Sequence, residues 1–422
     1  MPVVARELDA IRGYGFVFSV FLTTFLLGVV VSGAWTDARG PAWPLRAGLV
    51  LFAAGLVMSG LADSLAVLLI GRAVAGAGGG LLIIAIYVVI AAIYPPDVRP
   101  RVFSWLSAGW ILPSIVGPAL AGWLAEDVTW RAVFLLVPPL IVPPALALLP
   151  RLRGDGRREG VGSPMRRVLA GCGLSLGVAG LQWGLERLGA QGRAGWPIGV
   201  TVVGATLVAL TFPRLVPAGT VRLRRGMPTV VVLRGLYTAS FLGVEAFIPL
   251  MLVTQRGFSA TEAGLILTGG ALGWSFGAYV QGRPGLRLPR HVMLSVGAVA
   301  IAIGVLLLTS TVRPPVPAWL AVPIWGITAA GMGMAYASTS VVVLALSPPG
   351  EAGRNSAGLQ LSDGLGSALG IALAGAFFAA NHDPAGGDAW IFVTMWLAGA
   401  AVAVFAAVLA LRARPPSPSP TP

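Results

Sequence analysis

The sequence predicts an all-α polytopic membrane protein of about thirteen transmembrane helices, and three observations predict it. About ten separate apolar stretches are long enough to cross a hydrocarbon layer of about 30 Å, which takes roughly 20 helical residues. The 422 residues are 56% hydrophobic and 11% charged, a composition foreign to soluble domains of this size. The cationic side chains gather in short segments between the apolar stretches, as they do in loops that face a membrane surface.

Taken in order, helices are expected at Tyr14–Trp35, Ala47–Ser64, Leu65–Tyr94, Val102–Leu124 and Trp130–Leu149. Pro138, Pro139, Pro143 and Pro144 should kink the last of these, because each proline removes a backbone donor. A basic link, Arg151–Arg167, leads to two further helices, Val168–Leu185 and Trp196–Phe212, and a second link covers Arg214–Arg225. Six helices close the chain: Pro228–Val253, Ser259–Gln281, Val292–Thr309, Pro317–Leu346, Ser356–Ala380 and Ala389–Leu411. Ser259 and Glu262 have the spacing of a capping box. The tail after Arg414, rich in proline and serine, reads as disordered. The expected organisation is thus an N-terminal bundle over 1–150, two central helices with basic loops over 151–227, a C-terminal bundle over 228–411 and a tail over 412–422.

Arginine sets the orientation. One set of alternate loops holds Arg39, Arg46, Arg99, Arg101, the links 151–167 and 214–225, Arg283, Arg287, Arg290, Arg354, Arg412 and Arg414. The other holds Arg6, Arg12, Arg187, Arg193, Arg256 and Arg313, with Arg131 at a helix entrance. The roughly threefold excess makes the first set cytoplasmic, the C-terminus with it, and the location the cell membrane. The net charge of +13 therefore reads as topology and not as a nucleic-acid surface. Every basic side chain except the two histidines is arginine, so lysine-based proton or Schiff-base chemistry is excluded. A lone Cys172 rules out an internal disulfide, and His291 and His382 are too distant to build a metal centre. No enzyme constellation and no cofactor is expected.

Local patterns then converge. The segment Gly33-Ala-Trp-Thr-Asp37-Ala-Arg39-Gly40 sets Gly33, Asp37 and Gly40 in a turn after the first helix. Gly33 would permit close packing, and Asp37 would cap a helix or pair with an arginine. The third helix carries Leu68, Arg72 and Gly76, an arginine several residues inside an apolar segment. The fourth carries Gly117, Pro118 and Gly122, a bendable small-residue face. Trp130-Arg-Ala-Val-Phe134 opens the next. These patterns, in this order, resemble the major facilitator superfamily, whose loop between helices 2 and 3, arginine-bearing fourth helix and exporters' fifth helix they match in part. The resemblance spans the chain and most closely suits its fourteen-helix drug:proton antiporters, with six helices, two central ones and six more. It implies two helical bundles with two extra central helices. Counted against that pattern, helix 1 is missing, and Met1–Leu8 resembles its end.

Proton coupling requires a carboxylate that can lose its charge within the membrane. Glu245 and Asp363 are the two acids expected inside helices away from their ends. Arg234 precedes Glu245 by 11 residues, roughly 16 Å along a helix, and so neutralises another group or reaches the helix end. Gln360, Ser367 and Gly370 share the face of Asp363. Trp110, Tyr237, Trp274, Trp325 and Gln360 are the candidate substrate contacts, a cavity of rings beside a carboxylate suiting lipophilic cations. The expected function is proton-coupled efflux of small amphipathic or drug-like molecules by alternating access. Its partners are the substrate, protons and the lipid bilayer, with the proton gradient as energy source and a monomer as the working form. Uptake of a small metabolite is the alternative, as is an inactive truncated transporter if Met1 is the true start.

Overall fold

In the computed structural model the described residues are 2–8, 14–93, 116–117, 119–151, 164–191, 195–283, 288–348, 352–383 and 386–414. Among them, twelve helical spans are long and apolar enough to cross a membrane, and no strand occurs. Most of the helix expected at Val102–Leu124, with Trp110 and Pro118, lies outside the described residues. Contacts divide the chain into two units, residues 1–211 with 259–264 and residues 212–258 with 265–422.

The first unit begins with α1 (Pro2–Glu7), α2 (Tyr14–Arg39), α3 (Ala42–Gly60) and α4 (Leu65–Ile93). A π turn over Leu124–Thr129 leads into α5 (Trp130–Leu135) and α6 (Val137–Leu148), and α7 (Pro164–Gln191) and α8 (Gly195–Leu215) follow, the end of α8 from Phe212 on being grouped with the second unit. Helix α1 packs Val4 into a cluster with Val17, Leu56, Leu68, Trp130 and Phe134, and the Trp130 indole donates to Glu7 at 2.7 Å. Helix α4 lies directly on α2, because a methyl at Gly76 would run into the Phe21 carbonyl. Helix α7 lies along α2, where the buried Thr23 hydroxyl donates to the Gln182 side-chain oxygen at 2.9 Å. Such a pair forms between membrane helices because neither group has water to turn to. The turn at Leu136 separates α5 from α6, so Pro138 and Pro139 fall in the first turn of a helix, where their missing donors cost nothing. Helix α6 then continues through Pro143 and Pro144.

The second unit holds α9 (Met227–Glu245), α10 (Ile248–Gln255), α11 (Ala260–Gly282), α12 (Arg290–Leu308), α13 (Ala321–Leu346), α14 (Ala352–Asn381) and α15 (Ala389–Ala410), with the first turn of α11 grouped in the first unit. The single helix expected over Pro228–Val253 is two. Pro249 has no N–H for the Glu245 carbonyl four residues before it, and the chain turns through Ala246 and Phe247. The Ser259–Glu262 capping box forms reciprocally: Ser259 N–H donates to Glu262 Oε2 at 2.8 Å and Glu262 N–H to Ser259 Oγ at 3.1 Å. Glu126 accepts from the Thr261 N–H at 3.1 Å and its hydroxyl at 2.7 Å, and also from the Ala260 N–H.

Of the close-packing expectations, the one at Gly122 holds and the one at Gly33 does not. Helix α2 runs to Arg39, so Gly33 and Asp37 are helical, and the turn is confined to Gly40, at φ 76°. Among the described residues, a methyl at Gly33 or at Gly117 would meet nothing within 4 Å. Gly76 and Gly122 permit a close approach, against the Phe21 and Ala260 carbonyls. Arg39 is exposed, and the Asp37 side chain lies outside the described residues.

Candidate functional site

Within the second unit, α9, α13 and α14 bring together a network centred on Arg234. Its side chain is 2% exposed and its Nε donates to Asp363 Oδ1 at 3.2 Å. Nη1 donates to the Tyr336 carbonyl at 2.7 Å, Thr339 Oγ1 at 2.5 Å and Ser340 Oγ at 3.3 Å, and Nη2 to Gln360 Oε1 at 3.3 Å. Arginine has five N–H donors and no acceptor, and in protein it keeps its charge. This environment supplies acceptors alone, one of them charged.

Asp363 is the more accessible partner, at 19% side-chain exposure. The Tyr336 hydroxyl donates to its Oδ2 at 3.0 Å, while the Tyr336 ring lies under the Arg234 guanidinium, 3.0 Å from centroid to carbon. One tyrosine thus touches both charges, the cation through its π face and the anion through its hydroxyl. The Asp363 carbonyl accepts from the Thr238 hydroxyl at 3.0 Å and the Ser367 hydroxyl at 2.8 Å, fixing the backbone. Small residues let α9 and α14 approach: a methyl at Gly366 would run into the Gly235 carbonyl, and one at Gly370 into Ala239.

Aromatic side chains continue from this network. The half-buried Trp274 ring lies 5.1 Å from Tyr336 and 5.5 Å from Phe241, and Phe241 stacks on Trp325 at 4.5 Å. Of the expected substrate contacts, Trp274 and Gln360 are therefore half-buried beside the charged pair. Tyr237 and Trp325 are 0% exposed. The Tyr237 hydroxyl donates to the Leu294 carbonyl at 3.0 Å, a bond that joins α9 to α12 and turns the ring away from any accessible surface.

Glu245 stands apart. It is the last residue of α9, half-buried at the break before α10, and no hydrogen bond or ion pair reaches its carboxylate among the described residues. The carbonyls at the end of a helix carry partial negative charge, so this end of α9 adds no counter-charge. In the first unit, Arg72 donates from Nε to the Val17 carbonyl at 3.3 Å and lies 4.4 Å from the Phe21 ring centroid, facing inward onto α2.

Sequence reasoning missed two things here. It left Arg234 without a named partner, although an arginine inside a membrane helix had to have one. It also ended the first central helix at Leu185, whereas α7 runs to Gln191 with Glu186 half-buried inside the membrane span Val168–Leu188. The intramembrane acids therefore number more than two.

Comparison with known proteins places the chain in a family. The family model described as Major Facilitator Superfamily matches residues 1–329 and 230–422. Multidrug resistance protein 3 of Bacillus subtilis (strain 168) is 25% identical over 76% of this chain and 64% of its own length. Multidrug transporter protein MdtP of the same organism is 23% identical over 89% of the chain and 70% of its own length. The chain thus spans about two thirds of the length of these relatives, 64% of the first. A crystal structure of peptide transporter POT in complex with sulfate superposes with a TM-score of 0.68 at 16% identity, over 96% of this chain and 87% of that one, which speaks for the fold alone. The chain belongs to the major facilitator superfamily.

Proposed function

We propose that this multi-pass membrane transporter exports small amphipathic molecules in exchange for protons across the cell membrane, with its C-terminus in the cytoplasm. One observation carries the reading: a carboxylate, Asp363, is held inside the helical bundle by a permanent cation and is bordered by half-buried rings. Protonating Asp363 removes the ion pair. Arg234 then keeps its neutral acceptors on α13, so the charge imbalance stays at one place and is resolved only when the proton leaves. That gives the site two electrostatic states, as alternating access requires. Glu245, at a break in the same helix that carries Arg234, is the second proton carrier in this reading. Trp274 and Tyr336 offer an aromatic face to an amphipathic cargo. The two multidrug relatives support export over uptake.

The test is dye efflux from cells or vesicles driven by an imposed proton gradient. Asp363→Asn is expected to lower gradient-dependent efflux by at least about tenfold, equivalent to about 1.4 kcal/mol of lost coupling. Glu245→Gln should lower it by a smaller factor. Unchanged efflux in both variants removes these acids as proton carriers.

A further inference from the structure

At one end of the second unit, α12 and α15 frame a cavity of about 410 Å³ that has no part in the network around Asp363. Arg313, Ser310, Thr309, Thr394 and Trp390 line it, together with the loop 314–316 and Val393. Its level along the helices is defined: Arg313 directly follows the span Arg290–Val312, and Trp390 is the second residue of the span Ala389–Ala413. Both therefore stand at the boundary between hydrocarbon and water, where tryptophan anchors a helix and lipid headgroups lie.

The loop that carries Arg313 is fixed. Thr311 and Val312, just before it, are buried, and Arg256 donates to the carbonyls of Thr311 and Val316 at 2.7 Å each, one on either side of Arg313. Arg256 thus gives two of its N–H donors to neutral oxygens, and no carboxylate pairs with it among the described residues. Arg313 itself is exposed and meets no carboxylate among the described residues. The acid nearest in sequence to Trp390 is Asp388, which is buried, lies 2.6 Å from His382 Nδ1 and accepts from the Asp383 N–H at 3.1 Å. Two cations therefore stand at this cavity's loop, and no carboxylate pairs with either among the described residues.

The hydroxyls narrow the ligand further. Thr309, Ser310 and Thr394 each donate their proton back to their own helix, to Leu306, Leu307 and Trp390 carbonyls at 2.6, 2.7 and 2.9 Å. Their oxygens are left with acceptor capacity only. A suitable ligand combines an anion for Arg313 with hydroxyl donors for these oxygens. Exposed Ile303, Leu306 and Leu307 of α12 and Leu397 of α15 continue from the cavity along the spans as an apolar face for acyl chains.

We infer that this cavity is the headgroup site of an anionic, hydroxyl-bearing phospholipid, its phosphate on Arg313 and its headgroup hydroxyls on Ser310 and Thr394. A zwitterionic amine headgroup is disfavoured, because its ammonium would enter the field of Arg256 and Arg313. The inference is independent of the transport reading, since its readout is lipid occupancy.

The test is native mass spectrometry of the purified full chain titrated with phosphatidylglycerol, phosphatidic acid, phosphatidylethanolamine or inorganic phosphate. Phosphatidylglycerol is expected to bind most tightly, and Arg313→Gln to weaken it by about fivefold, the value of one arginine near an anionic surface. Arg313→Lys should restore most of that affinity. Thr394→Val should weaken phosphatidylglycerol and leave phosphatidic acid, which lacks the headgroup hydroxyls, unchanged. Equal phosphatidylglycerol binding by wild type and Arg313→Gln overturns the site. Equal binding of phosphatidylethanolamine, or displacement of the lipid by millimolar phosphate, overturns the ligand assignment.

Discussion

Arg234→Gln is expected to destabilise the protein by about 3–5 kcal/mol, the cost of removing one partner from a buried ion pair. Glutamine keeps some of the polarity but neither the charge nor the reach of the guanidinium. It leaves Asp363, with 19% of its side chain exposed, supported by the Tyr336 hydroxyl alone at its carboxylate. Asp363→Asn is expected to cost less, because Arg234 would retain the Tyr336 carbonyl, Thr339, Ser340 and Gln360 as neutral acceptors. The double variant should be more stable than the sum of the two losses, since no uncompensated charge remains. Thermal unfolding of the four purified proteins under one condition measures this. A larger loss for Asp363→Asn than for Arg234→Gln would show that the carboxylate, and not the cation, organises the three helices.

This asymmetry was half legible in the sequence, and the reason is distance along the chain. An arginine and an acid inside apolar segments each demand a partner, which composition and spacing reveal at once. That they satisfy each other across 129 residues depends on how α9 meets α14, which no local pattern encodes. Tyr336 left no signal, because one tyrosine in an apolar run reads as packing. Features written within a few residues were readable, as the Ser259–Glu262 box shows. The break at Glu245 had its signal too, in Pro249, but the apolar run continues through it and hides it. Glycine motifs mislead when the neighbour is absent: Gly33 fits a loop pattern and its added methyl would meet nothing within 4 Å among the described residues, whereas Gly366 belongs to no recognised motif and sits against a backbone.

That contrast yields the second large effect. Gly366→Ala places a methyl on the Gly235 carbonyl oxygen, and main chain on both sides leaves no flexible side chain to yield. Helices α9 and α14 must move apart, an overpacking cost of about 1–3 kcal/mol. Gly33→Ala, in open space inside α2, should do the reverse and stabilise by about 0.5–1 kcal/mol, as alanine does over glycine in a helix interior. The consequence of Gly366→Ala extends to the site, because Gly366 is the third residue after Asp363 on α14. Separating the helices lengthens the Thr238–Asp363 hydrogen bond and draws the carboxylate from Arg234. The coupling between Arg234→Gln and Asp363→Asn should therefore shrink when both are made on the Gly366→Ala background, and gradient-driven efflux should fall with it. Unfolding temperatures give the first quantity and dye efflux the second. If Gly366→Ala melts with wild type and the coupling is undiminished, the glycine seam is not what holds Asp363 against Arg234, and the ion pair must position itself through α13.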